Sequence, residues 1–128
     1  MSTQDPRYTI HVSAVAQYVE AQSDPAANRY VFAYTITIEN VGTVAAQLLN
    51  RHWVITDASG RAQEVRGEGV IGEQPLLEPG AAFRYTSSAM IATPVGSMHG
   101  EYGMLAADGQ HFDAPIPPFT LSMPRVLH

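Results

Sequence analysis

The sequence predicts an all-β domain, an antiparallel β-sandwich of seven or eight strands. Three observations lead there. Apolar residues recur with a period of two, the runs are separated by turn chemistry, and no stretch of ten or more residues carries a clean i, i+3, i+4 stripe. At 128 residues the chain is one domain, 1–128, with a real hydrophobic core and no repeat or linker to divide it. Residues 1–6 and 123–128 are expected to be flexible ends.

The elements follow in order. Across 8–20, Tyr8, Ile10, Val12, Ala14, Ala16 and Tyr18 share one face, as one long strand or two joined at a bend near Ala14. Asp24 to Asn28 is a longer loop. The clearest strand is 29–40, where Tyr30, Phe32, Tyr34, Ile36 and Ile38 alternate with Val31, Ala33, Thr35, Thr37 and Glu39. Val41–Leu49 is the best helical candidate, but it is short and opens with Gly42. A strand over 48–56 has Leu49, Trp53 and Ile55 inward, with Trp53 filling the core between sheets. Asp57-Ala58-Ser59-Gly60 closes a hairpin into a solvated face where Arg61 and Arg66 flank Glu64.

Glu78-Pro79-Gly80 suits a type II turn, because Pro presets φ and Gly tolerates positive φ. A strand over 82–92 carries Phe83, Tyr85, Ser87, Ala89 and Ile91 on one face. Pro94-Val95-Gly96 is a break, and Met98, Tyr102 and Met104 alternate across 97–105. After the Ala107-Asp108-Gly109-Gln110 hairpin, two short strands are expected at 110–114 and 118–122. Pro115, Pro117 and Pro118 would hold this end at a sheet edge, since Pro cannot donate to a ladder.

Composition excludes several function classes. There is no cysteine, so thiol catalysis, thiolate metal sites and disulfides are out. All seven basic residues are Arg, which removes Schiff-base chemistry and a phosphate-loop lysine. A net charge of −5 opposes broad binding to nucleic acid or acidic membranes. The N-terminal MSTQDPR lacks the apolar stretch of a signal peptide. The longest apolar run, Tyr30 to Tyr34, falls far short of a membrane span, so a cytoplasmic location is expected.

Residues 67–72, GEGVIG, match the G-x-G-x-x-G pattern of dinucleotide loops. That chemistry needs a helix N-terminus facing the phosphate. Here the motif runs into Glu73-Gln74-Pro75 and then Pro79-Gly80, leaving no room for a helix, and Glu68 and Glu73 put negative charge where phosphate would sit. A glycine-rich strand end with a tight turn is the simpler reading. His11, His52, His99, His111 and His128 are widely separated. The pairs His99/Glu101 and His111/Asp113 have same-face spacing on strands, and ordinary solvent-facing residues account for them; no metal site and no cofactor is expected beyond weak divalent binding. Ser87-Ser88 lies in a strand pattern with no G-x-S-x-G elbow and no S-x-x-K motif, so no catalytic residue is assigned.

From Trp53 onward the chain resembles the bacterial ApaG family, also called CorD. The likeness runs through W-x-I-x-D-x-x-G at Trp53–Gly60, EVRGEGVIGEQP at Glu64–Pro75, LEPG at Leu77–Gly80, and YTS at Tyr85–Ser87. It continues in TPVGSMHGEYGM at Thr93–Met104 and F-x-x-x-I-P-x-F at Phe112–Phe119, while YVFAYTITIENVG at Tyr30–Gly42 fits upstream. The resemblance implies an immunoglobulin-like or fibronectin type III-like sandwich. It also implies a physiological link to cobalt resistance and magnesium efflux, and a binding role of the kind similar domains have inside larger eukaryotic proteins. The family's glycine motif corresponds to Gly67, Gly69 and Gly72, where a pyrophosphate site has been considered.

The expected function is therefore a non-enzymatic protein–protein interaction module of adaptor type, with an unidentified protein partner. The expected docking surface is Gly67, Glu68, Gly69, Gly72, Glu73, Gln74 and Pro75, where glycine-exposed backbone and two acids favour a basic partner. The alternative is a binder of phosphate or pyrophosphate compounds at the same loop.

Overall fold

The computed structural model describes residues 5–124. Eight strands run in chain order as β1 (Ile10–Tyr18), β2 (Tyr30–Asn40), β3 (Ala46–Asp57), β4 (Ala62–Glu68), β5 (Leu76–Leu77), β6 (Ala82–Ile91), β7 (Val95–Ala106) and β8 (His111–Ser122). They form two antiparallel sheets, one ordered β1-β2-β6 and the other β4-β3-β7-β8, with β5 added beside β3. Three strands facing four in this order is the arrangement of fibronectin type III-like sandwiches.

The period of two builds the core. Phe32, Ile36 and Ile38 on β2 are fully buried, as are Leu48 on β3, Met98 and Tyr102 on β7 and Leu121 on β8. Each such side chain contributes about 1.5–3 kcal/mol of hydrophobic burial. Trp53 lies in the centre as expected, its ring 5.4 Å from that of Tyr34 and 5.9 Å from that of Phe119. The Tyr85 and Tyr102 hydroxyls hydrogen-bond across the sandwich. Burial pushes the Tyr85 phenol up to about 12, and burial with the Tyr85 neighbour raises Tyr102 as well.

Local chemistry explains the turns. Gly60, Gly80 and Gly109 all take positive φ, and the Ala81 amide donates to the Glu78 carbonyl at 2.9 Å to close the Pro79-Gly80 turn. Asn40, the one buried polar side chain among the described residues, donates to the Val44 and Leu77 carbonyls and accepts from the Gly42 amide, each at 2.9 Å. It thereby ties β5 and the Val41–Ala45 loop to the end of β2.

One open alternative is decided and three sequence expectations change. Of the 8–20 stretch, Ile10–Tyr18 forms one strand without a bend at Ala14, paired residue for residue with β2, while Tyr8 and Glu20 fall in flanking 3₁₀ turns. Val41–Leu49 is not helical: a short loop leads into β3 at Ala46, because alternating Ala46 and Leu48 find core positions opposite Ala106 and Met104. Leu48, not Leu49, is the buried leucine, since a bulge between Leu48 and Asn50 shifts the strand's phase by one residue. The two expected end strands are one, β8, which absorbs its prolines by a register shift opposite Met98 to Gly100 and by lying at the sheet edge.

Strand β7 also begins at Val95, inside the expected break. The expected flexible ends fall largely on 1–4 and 125–128, outside the described residues. Within reach, Pro6 opens a 3₁₀ turn capped by the Asp5 carboxylate, and Met123 packs against the core.

Candidate functional site

The glycine motif joins the end of β4 to β5. Val70 is buried and anchors the segment, while its amide and carbonyl exchange hydrogen bonds with Glu73 at 2.8 and 2.9 Å. Ile71 and Gly72 between them have φ of 44° and 78°, the signature of a mirror-image two-residue turn. Gly72 meets that requirement freely. Ile71 does not, because a β-branched residue in the left-handed region costs roughly 1–2 kcal/mol. Gly69 has φ of 61°, and a Cβ there would run into the Glu73 carbonyl oxygen.

Behind the turn stands Arg51. Plain alternation with Trp53 and Ile55, unbroken beyond the bulge, puts Arg51 on the inward face of β3, paired with Tyr102 and Gly67. Its Nη1 donates to the Glu68 and Gly69 carbonyls, both at 2.9 Å. Gln74 donates to the Leu49 carbonyl at 2.8 Å, and Gln47 donates to the Gln74 carbonyl at 3.1 Å. The loop is thus fastened to β3 at three points by long polar side chains.

These bonds decide what the loop can recognise. The Gly69 amide donates to Leu49, the Val70 and Glu73 amides to each other's carbonyls, and the Glu68 and Gly69 carbonyls accept from Arg51. Little of the glycine-exposed backbone is left for main-chain capture of a peptide. A pyrophosphate would also find these amides engaged and no helix following, since 73–80 holds only the short strand β5. What points outward is side chains: Glu68, Ile71 and Glu73 are exposed, and Pro75 is half-buried.

On the outer face of the same sheet, His52 stands between two carboxylates. Its Nδ1 lies 2.9 Å from Glu101 Oε1 on β7 and its Nε2 2.7 Å from Glu64 Oε1 on β4. The bond to Glu101 first, and that to Glu64 second, raise the imidazole above its ordinary value. Arg66 Nη2 approaches Glu64 at 3.7 Å. An open depression of about 560 Å³ runs beside this group, lined by Asn50, Arg51, His52, Arg66, Glu101 and Asp113 among others.

Sequence spacing missed this triad. It pairs His99 with Glu101 and His111 with Asp113, and each pair does share a face. Glu101, however, is engaged by His52 rather than by His99. The only signal was that His52, Glu64 and Glu101 all alternate outward, and register is needed to make them neighbours. Among the described residues no group of three His, Asp or Glu side chains is arranged to hold a metal ion. No helix among them is long and apolar enough to cross a membrane.

The comparison with known proteins fits this frame. A family model, the ApaG domain, matches residues 20–106, which hold the glycine loop, Arg51 and the His52 triad. The chain belongs to the ApaG family. Protein ApaG of an Azoarcus species is 66% identical over 121 residues, covering 94% of this chain and 95% of that one. Protein ApaG of Thiobacillus denitrificans is 66% identical over 122 residues, covering 95% and 96%. Among solved structures, one described as an ApaA protein from Bordetella pertussis superposes with a TM-score of 0.89 at 50% identity, covering 93% of this chain and 97% of that one. The ApaG resemblance read from the motifs and the sandwich it implied are both established.

Proposed function

We propose that this ApaG domain is a non-enzymatic adaptor that docks a basic protein partner through the loop from Gly67 to Pro75. The observation that carries this reading is the loop's construction. Its backbone is fastened from behind by Arg51 and Gln74, while the Glu68 and Glu73 side chains are left exposed. A recognition loop gains affinity when its bound shape is set in advance, because less ordering entropy is lost on binding. The two acids favour positive charge and speed its encounter, an effect that fades as salt rises.

The adaptor acts in the cytoplasm, and any tie to cobalt resistance or magnesium efflux runs through the partner rather than through a bound cation. Glu101 supports this, since the carboxylate that the sequence pairs with His99 already serves His52. The test is affinity capture from the native cell with mass spectrometry, across a salt series, for wild type and for Glu68→Arg with Glu73→Arg. Exposed charges away from special features change stability by under about 0.5 kcal/mol, so the variant should fold. It should lose the partner. Retention of the same partner with the same salt dependence would show that another surface binds.

A further inference from the structure

Ile71 has no role in the fold that explains it. It sits at the first central position of a two-residue turn, with φ of 44°, where Asn, Asp or Gly is the residue the geometry favours. It is 57% exposed, so it gives the core little in return for that backbone conformation. The anchor of the loop is its neighbour Val70, which is 1% exposed. A large apolar side chain is thus displayed at the tip of a loop whose base is rigid, with the exposed carboxylates of Glu68 and Glu73 on either side in sequence.

We infer that Ile71 is the apolar anchor of the docking surface, inserting into a pocket on a partner protein whose rim carries Lys or Arg. The inference rests on the adaptor reading and gives it a specific contact. Interfaces concentrate binding in a central side chain that fills a desolvated pocket, surrounded by polar contacts that exclude water. Ile71 supplies that side chain, and the flanking acids require the surrounding rim to be positive. The turn is already closed by the paired Val70 and Glu73 hydrogen bonds, so the isoleucine is presented without prior rearrangement.

The experiment combines a photo-crosslinking amino acid with point variants. A benzophenone side chain at position 71 keeps the tip apolar and, irradiated in the native cell, should give a protein adduct. The same group at position 15, an exposed valine on β1 of the other sheet, should not. The crosslinked partner peptide should map to an apolar patch bordered by Lys or Arg. Purified with that partner, Ile71→Asn should weaken binding at least tenfold while melting at or above the wild-type temperature, since Asn suits the turn better.

Four results overturn the inference. They are no adduct specific to position 71, an adduct with a second copy of this chain, a mapped patch without basic residues, and a lower melting temperature for Ile71→Asn. Two further outcomes separate the inference from the reading beneath it. If Ile71→Asn still binds while the Glu68→Arg, Glu73→Arg variant does not, the loop docks a partner but Ile71 is not its anchor. If both variants still bind, the loop itself is the wrong surface.

Discussion

The guanidinium of Arg51 occupies the space that a side chain at Gly67 would need: an ideal Cβ there would lie 2.7 Å from both Nη1 and Nη2. The glycine therefore serves a protein side chain. Gly67→Ala should displace the guanidinium from the Glu68 and Gly69 carbonyls and cost about 1.5–3 kcal/mol, the range for hydrogen bonds to charged groups. Arg51→Ala should cost a similar amount, and the double variant much less than the sum. Urea denaturation of all four forms checks this; additivity within about 0.5 kcal/mol would show that the two residues do not act together.

Stability should depend on pH through His52. Its folded pKa is raised above the ordinary 6.5 by Glu101 and then Glu64. A raised imidazole stabilises the fold below the unfolded value, and that contribution is lost as pH climbs through the folded value. The stability gap between wild type and His52→Gln should thus be larger at about pH 6 than at about pH 9. Titration of the His52 ring by NMR should give a midpoint above 6.5, lowered more by Glu101→Gln than by Glu64→Gln. A midpoint at or below 6.5 would contradict the triad.

Asn40 offers a sharper stability test. Asn40→Ala strands the Gly42 amide and the Val44 and Leu77 carbonyls at a site that is 1% exposed, and should cost about 2–4 kcal/mol. Asn40→Asp keeps the shape but turns a carboxylate oxygen toward two carbonyls, and should cost at least as much at neutral pH. Chemical denaturation of the two variants checks both, and losses under about 0.5 kcal/mol, the level of ordinary surface changes, would exclude the tying role.

ATP, GTP and pyrophosphate should bind no better than about 1 mM, which is about 4 kcal/mol, because the Gly69, Val70 and Glu73 amides are engaged internally and no helix follows the loop. Calorimetry reads this directly. A micromolar site abolished by Gly69→Val would reverse the conclusion, provided circular dichroism shows that variant folded. That control matters because a Cβ at position 69 meets the Glu73 carbonyl.

Much of this molecule is written in short-range pattern. The alternation from Tyr30 to Ile38, the D-x-x-G hairpin at Asp57–Gly60 and the Pro79-Gly80 turn specify strands and reversals through neighbouring residues alone. Those features sufficed for the sandwich, for Trp53 in its centre and for a motif-level match to the family. They were silent wherever a single residue is inserted. The bulge at Leu48/Asn50 leaves local composition unchanged, yet it exchanges which leucine is buried, and Arg51 reaches the glycine loop only because β3 pairs with β4. The triad is equally non-local: His52 meets Glu64 and Glu101 only because β3 pairs with β4 on one side and β7 on the other. Side-chain direction along one strand follows from its own period, but which strands are neighbours, and in what register, is set by the packing of both sheets around the shared core.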